Sequence, residues 1–231
     1  MGLGRFRAAI VDLDGTMVDT LGDFEVALNR TLADLGLPAV TRALVERTVG
    51  KGSEHLIRSV LAQQLAPLPP AAGRSVEALF EPAWQRYQHH YRAVNGAHAA
   101  VYPGVHDGLQ ALRAAGWSLA CLTNKPLAFA RDLLAAKDLA GHFSAVFGGD
   151  SFARKKPDPL PLLKTCEALG CAPHDALMVG DSSNDAQAGH AAGCGVVLVT
   201  YGYNHGEPIR ATPALAWVDA LSEIPAALAA R

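Results

Sequence analysis

Residues 8–16, Ala-Ala-Ile-Val-Asp-Leu-Asp-Gly-Thr, set two aspartates one residue apart directly after a run of four apolar residues. The run reads as a buried strand, whereas Asp is depleted in strands and costly to bury. Two unit negative charges about 5 Å apart repel by roughly 3 kcal/mol at an effective dielectric near 20, so Asp12 and Asp14 require a counter-ion.

Working outward from this stretch, the chain beyond Tyr102-Pro103-Gly104 alternates helical patterns with short apolar strands. Strands are predicted at 118–123, 145–147, 176–180 and 196–199, with helices at 105–115, 127–136, 160–169 and after Asn184. Such alternation predicts a parallel sheet covered on both faces. Residues 20–94 instead carry helical periodicity alone. Phe24, Leu28, Leu32 and Leu35 mark a first helix over 23–35, and a second follows Thr41. Ser53 is expected to cap a third, which breaks at Pro67 to Pro70, and a fourth spans 75–94 with Pro82 as a kink point. The predicted architecture is a doubly wound, Rossmann-like α/β core of residues 1–19 and 95–231. A small α-helical cap domain, residues 20–94, is inserted after the first strand.

Composition narrows the partners. Twenty basic residues against 22 acidic ones give a net charge of −2, which supplies no bulk attraction for nucleic acid or an anionic membrane. The longest apolar runs fall far short of the roughly 20 residues that span a bilayer, and the N-terminus lacks a secretion signal's apolar stretch, so a soluble, cytoplasmic protein is expected. Cys121, Cys166, Cys171 and Cys194 form no C-x-x-C pair and read as core thiols of a reducing compartment.

Ligands of open parallel sheets bind beyond the carboxyl ends of the strands, which is where the polar residues fall. Asp12 and Asp14 follow the first strand, Thr123-Asn124-Lys125 the next, and Asp181 and Asp185 the strand at 176–180. Lys155-Lys156-Pro157 occupies the loop after Phe147. Oxygen-only ligands with an open position suit Mg²⁺, and no His or Cys stands suitably beside these aspartates for zinc. Lysine and threonine add cationic and hydroxyl contacts for an anionic substrate group.

Asp12-Leu13-Asp14-Gly15-Thr16, Thr123-Asn124, Lys156-Pro157 and Gly180-Asp181-Ser182-Ser183-Asn184-Asp185 resemble the four ordered motifs of the haloacid dehalogenase superfamily of phosphohydrolases. Within it, Thr123-Asn124-Lys125-Pro126, Gly148-Gly149-Asp150 and Tyr201-Gly202-Tyr203-Asn204 are similar to the phosphoglycolate phosphatase family. The resemblance implies Asp12 as nucleophile, forming an aspartyl-phosphate, and Asp14 as general acid and then base, kept protonated by neighbouring carboxylates. It implies Mg²⁺ held by Asp12, the Asp14 carbonyl and Asp181, with Asp185 supporting the site from behind. The substrate-binding set is then Thr123, Asn124, Lys156 and, from the cap, Lys51.

The insertion's place between the first two motifs is similar to the small helical cap of one subgroup, and specificity is expected there. In Val49-Gly50-Lys51-Gly52-Ser53, backbone amides and the Lys51 ammonium offer a seat for an anion such as the carboxylate of 2-phosphoglycolate. The implied reaction is Mg²⁺-dependent hydrolysis of that small-molecule ester to glycolate and phosphate by a monomer or homodimer. Sugar phosphates, nucleotides and pyrophosphate are competing substrates, a phosphomutase is a competing reaction, and a non-catalytic binding protein using the cap is a remote one. Phosphonate-cleaving and dehalogenating relatives typically lack the second aspartate, so Asp14 favours phosphate esters. Tyr201, Asn204 and His205 are left open as either rim or packing residues, and His89 and His90 read as cap surface and core.

Overall fold

A computed structural model describes residues 5–68 and 74–230; the expected break at Pro67 to Pro70 lies partly outside them. The opening run forms strand β1 (Ala8–Val11), followed by a two-residue strand β2 (Val18–Asp19). Helices α1 (Leu21–Asp34), α2 (Arg42–Thr48), α3 (Ser53–Leu65) and α4 (Val76–Val94) come next, and β3 (Ala100–Val101) returns the chain. The remainder runs α5 (Val105–Ala114), β4 (Ser118–Leu122), α6 (Leu127–Ala136), β5 (Ala145–Phe147), α7 (Leu160–Leu169), β6 (Ala176–Gly180), α8 (Ser183–Ala192), β7 (Gly195–Val199), β8 (Ala216–Val218) and α9 (Ile224–Ala229).

Six strands pair in parallel in the order β5-β4-β1-β6-β7-β8. Side chains alternate across the sheet with period two, and both faces are buried. Ala9, Val11, Leu119 and Val179 pack with α5 and α6 residues such as Leu109 and Leu133. Ala8, Ile10 and Met178 face the other way onto Leu162 of α7 and Ala188 of α8. This is the doubly wound, Rossmann-like fold expected. The chain reverses direction across the sheet at β1, flanked by β4 and β6, so the crevice for a ligand opens at the carboxyl ends of those three strands.

Helices α1–α4 form an inserted helical cap with its own apolar cluster, including Phe24, Leu28, Leu56, Ile57, Tyr87 and Tyr91, against which Phe129 and Tyr203 of the sheet portion pack. Thr41 caps α2 and Ser75 caps α4 through their side chains. Gly52 rather than Ser53 occupies the cap position of α3, and Pro82 lies inside α4 without ending it. The sequence reading missed the antiparallel pair β2–β3, because two-residue strands carry no periodicity. It also missed the short β8 and α9. The β2–β3 pair joins the chain's exit to its return, and the Asp23 carboxylate fastens that return by accepting the Gly96 and His98 amides at 2.6 and 2.7 Å.

Candidate active site

Beyond β1 the backbone turns tightly, the amides of Thr16, Met17 and Val18 all pointing to the Leu13 carbonyl. A Cβ on Gly15, whose φ is +83°, would stand 2.4 Å from Asp181 Oδ2, so only glycine lets the Asp12–Thr16 loop approach the β6 loop. Thr16 Oγ1 donates to Asp181 Oδ1 at 3.1 Å, and the Tyr203 amide donates to its other oxygen at 2.8 Å.

Asp12, Asp181 and Asp185 each turn one oxygen into a cluster within 4.8 Å. Burial, reinforced by Asp185, pushes the Asp12 carboxyl up to about 7 despite the neighbouring Lys156. Burial, then Asp185 and Asp12, holds Asp181 well above the ordinary carboxylate range. One buried lysine answers this charge. Lys156 Nζ lies 2.9 Å from Asp12 Oδ1 and 2.7 Å from Asp185 Oδ1, and donates to the Leu122 carbonyl at 2.8 Å. Burial opposes its charge, but the two carboxylates overcome that cost and keep the ammonium above its usual range. Lys155 beside it is exposed.

One cation against three carboxylates leaves negative charge in excess, and Asp12 Oδ1 is buried with no well-directed hydrogen bond. All the converging ligands are oxygens. That donor set fits a hard divalent cation. Asp185 contributes an oxygen, yet its carboxylate already receives Lys156, the Ser182 hydroxyl at 2.7 Å and the amides of Ser182 and Asp181. These bonds lock the start of α8 and occupy Asp185 as a support.

The structure adds contacts to three of the expected site residues. The Asp14 carboxylate, expected among carboxylates, also meets a cation: Lys125 Nζ lies 2.8 Å from Oδ1. Asn124, expected to bind substrate, spends its side-chain amide on the protein. It donates to the carbonyls of Gly50 and Lys156 at 3.0 and 2.8 Å and accepts the Lys156 amide at 3.0 Å, stapling the cap loop to the lysine loop. Lys51 stands exposed, outside the lining of the central cavity, while its neighbours Gly50, Gly52 and Ser53 line it. The flanking glycines have φ of +105° and +91°, which wraps the loop around the cavity with the lysine between them turned to solvent.

That cavity, about 30 Å³, lies between Asp12, Asp14 and Thr123 on the sheet side and Tyr87 and Tyr91 on the cap side. The space is narrow, and the bond from Asn124 to the Gly50 carbonyl ties the cap loop to the core beside it. Lys125, Tyr87 and Tyr91, which also line the cavity, had no site role from the sequence. Lys125 stands inside the Thr123–Pro126 stretch and offered a signal; the tyrosines offered only core-like helical spacing. Tyr203 proves structural: its buried hydroxyl accepts the Thr20 amide and donates to Asp19, each at 2.8 Å. Asn204 accepts the Ser183 amide at 2.9 Å, and His205 Nε2 lies 3.3 Å from Asn184 Nδ2.

An aspartate cluster at the switch point of a doubly wound sheet, answered by one buried lysine and covered by a helical insertion, defines a hydrolase of the haloacid dehalogenase type. The chain belongs to the haloacid dehalogenase-like hydrolase family, whose model matches residues 9–199. It is 43% identical over 203 residues to a phosphoglycolate phosphatase of Nitrosospira multiformis, covering 88% of this chain and 87% of that one. It is also 43% identical to a plasmid-encoded phosphoglycolate phosphatase of Cupriavidus necator, over 96% and 92% of the two chains. A crystal structure of a predicted phosphoglycolate phosphatase from Haemophilus somnus superposes with a TM-score of 0.89 at 33% identity, covering 96% of this chain and 98% of that one.

Proposed function

We propose that the protein hydrolyses 2-phosphoglycolate to glycolate and phosphate, with residues 1–19 and 95–231 as the catalytic core and 20–94 as the substrate-selecting cap. The observation that carries the reaction class is the placement of Asp12, buried beside Lys156, and Asp14, tied to Lys125, on one turn at the head of the cavity. Relatives named for this activity at about 40% identity support the substrate.

Asp12 attacks phosphorus in line; its oxygen–phosphorus bond forms as the ester oxygen departs, giving an aspartyl-phosphate. Asp14 in its carboxylic acid form gives its proton to the departing alkoxide and becomes the carboxylate that pairs with Lys125. In the second half it takes a proton from the water that cleaves the aspartyl-phosphate. Thr123 and Lys156 orient the phosphoryl oxygens, and Asp185 and Asn124 fix Lys156 in place. Mg²⁺, held by Asp12, Asp181 and the Asp14 carbonyl, would offset the negative charge of the phosphoryl group. Closure of the cap excludes water from the leaving-group side. Lys51, at the rim, contributes only solvent-screened attraction for the anion.

The test is initial-rate phosphate release with Mg²⁺ from 2-phosphoglycolate, glucose 6-phosphate, a nucleoside monophosphate and pyrophosphate. The largest kcat/KM is expected for 2-phosphoglycolate, and a much larger value for another ester overturns the substrate. Asp12→Asn is expected to fold and to lose about 10⁴-fold or more in kcat.

A further inference from the structure

The cap side of the cavity carries polar groups that the chemistry above does not use. Tyr87 and Tyr91 lie one turn apart on α4, their ring centroids 5.4 Å apart, each only 1% exposed. Tyr87 Oη is buried without a well-formed hydrogen bond, although the Ser53 hydroxyl lies beside it. Buried phenols ordinarily find a partner. Tyr91 Oη lies 2.5 Å from Lys125 Nζ. An ammonium only donates, so that contact uses a phenol lone pair and leaves the Tyr91 proton for another acceptor. Lys125 has three donors, of which Asp14 and Tyr91 take two. The rings of Phe24 and Tyr91, each 4.7 Å from Nζ, shield the ammonium from water.

Two phenol protons and one ammonium proton thus line one narrow space beside Asp14, with the Ser53 hydroxyl next to Tyr87 and Phe24, Leu56 and Phe129 as apolar wall. A ligand group that satisfies three donors and offers none back is an acceptor-only anion, and a carboxylate has the lone pairs to do so.

We propose that Tyr87, Tyr91 and Lys125 form a leaving-group subsite that receives the carboxylate of a short phosphate ester whose phosphorylated carbon bears that carboxylate. The inference rests on the phosphatase reading above and names the side chains that set its substrate class. Lys125 bridges the two halves of the reaction, touching Asp14 and the substrate carboxylate with one ammonium. Because both phenols belong to the cap, the subsite is complete only when the cap meets the core.

The experiment compares kcat/KM for 2-phosphoglycolate, 2-phospholactate and ethyl phosphate, with Mg²⁺, in wild type, Tyr87→Phe and Tyr91→Phe. The ratio of 2-phosphoglycolate to ethyl phosphate is expected to fall about ten-fold in each variant, mainly through KM for the carboxylated ester. Tyr87→Phe removes an oxygen that makes no well-formed hydrogen bond within the protein, so it carries the test if Tyr91→Phe fails to fold. A ratio unchanged within about two-fold in Tyr87→Phe overturns the subsite while leaving a wild-type preference for 2-phosphoglycolate intact. If wild type prefers 2-phospholactate and Tyr87→Phe erodes that preference, the subsite stands and the 2-phosphoglycolate reading falls.

Discussion

The two walls of the cavity satisfy their polar groups in opposite ways. On the sheet side the polar atoms are mostly paired within the protein, Asp12 Oδ1 excepted: Lys156 touches two carboxylates and a carbonyl, Asp185 receives four donors, and Asn124 joins two loops. On the cap side the wall is largely aromatic, and one of its two buried phenols lacks a well-formed partner. The difference teaches that the chemistry is built into a pre-organised charge network, whereas selectivity is left to groups awaiting the substrate. The first arrangement is complete in the free protein; the second is completed by binding.

The most direct way to break that contrast is to unpair the network. Lys156→Met leaves Asp12 and Asp185 buried without their cation, and losing one partner of a buried ion pair costs about 3–5 kcal/mol. For a chain of this size the melting temperature should fall by about 10 °C, read by circular dichroism. No fall would mean that the carboxylates are adequately solvated without the lysine.

Titrating the same network sharpens the comparison. The Asp12 carboxyl is raised from 3.8 to about 7 in the folded protein. Between those values the folded state holds more protons than the unfolded chain, so this group's contribution to stability falls as pH rises. With chelator present, the melting temperature of Asp12→Asn relative to wild type should therefore climb from pH 5 to pH 8. Saturating Mg²⁺ should raise the wild-type value more at pH 8 than at pH 5. A gap that stays flat with pH would show that Asp12 carries no such penalty.

The smallest effect belongs to the cap. Tyr87→Phe removes a hydroxyl that makes no well-formed bond, so its melting temperature should stay within about 2 °C of wild type. A loss as large as that of Lys156→Met would show the phenol to be structural and would erase the distinction between the walls.

The sheet side was legible because its residues sit in short contiguous runs. Asp12 and Asp14 belong to one turn, Asp181 and Asp185 to one helix start, and Lys156 directly precedes Pro157. The helix and strand pattern was legible for the same reason, periodicity being a local property. Lys125 stood in the strand-end cluster without a role, because its partners Asp14 and Tyr91 lie 111 and 34 residues away in the chain. For Asn124 and Lys51, expected at the substrate, only the tertiary structure shows that the first is paired to the cap loop while lining the cavity and that the second is exposed to solvent.

The sequence by itself determined the α/β core, the inserted helices and the aspartate and lysine motifs, since local backbone geometry brings each motif to the end of its own strand or the start of its own helix. Tertiary structure alone decided that Lys125 pairs with Asp14 and that Tyr87 and Tyr91 face the cavity. The first contact joins two core segments 111 residues apart and the second brings the cap to the core, so their energy depends on how separately patterned surfaces meet rather than on any local spacing.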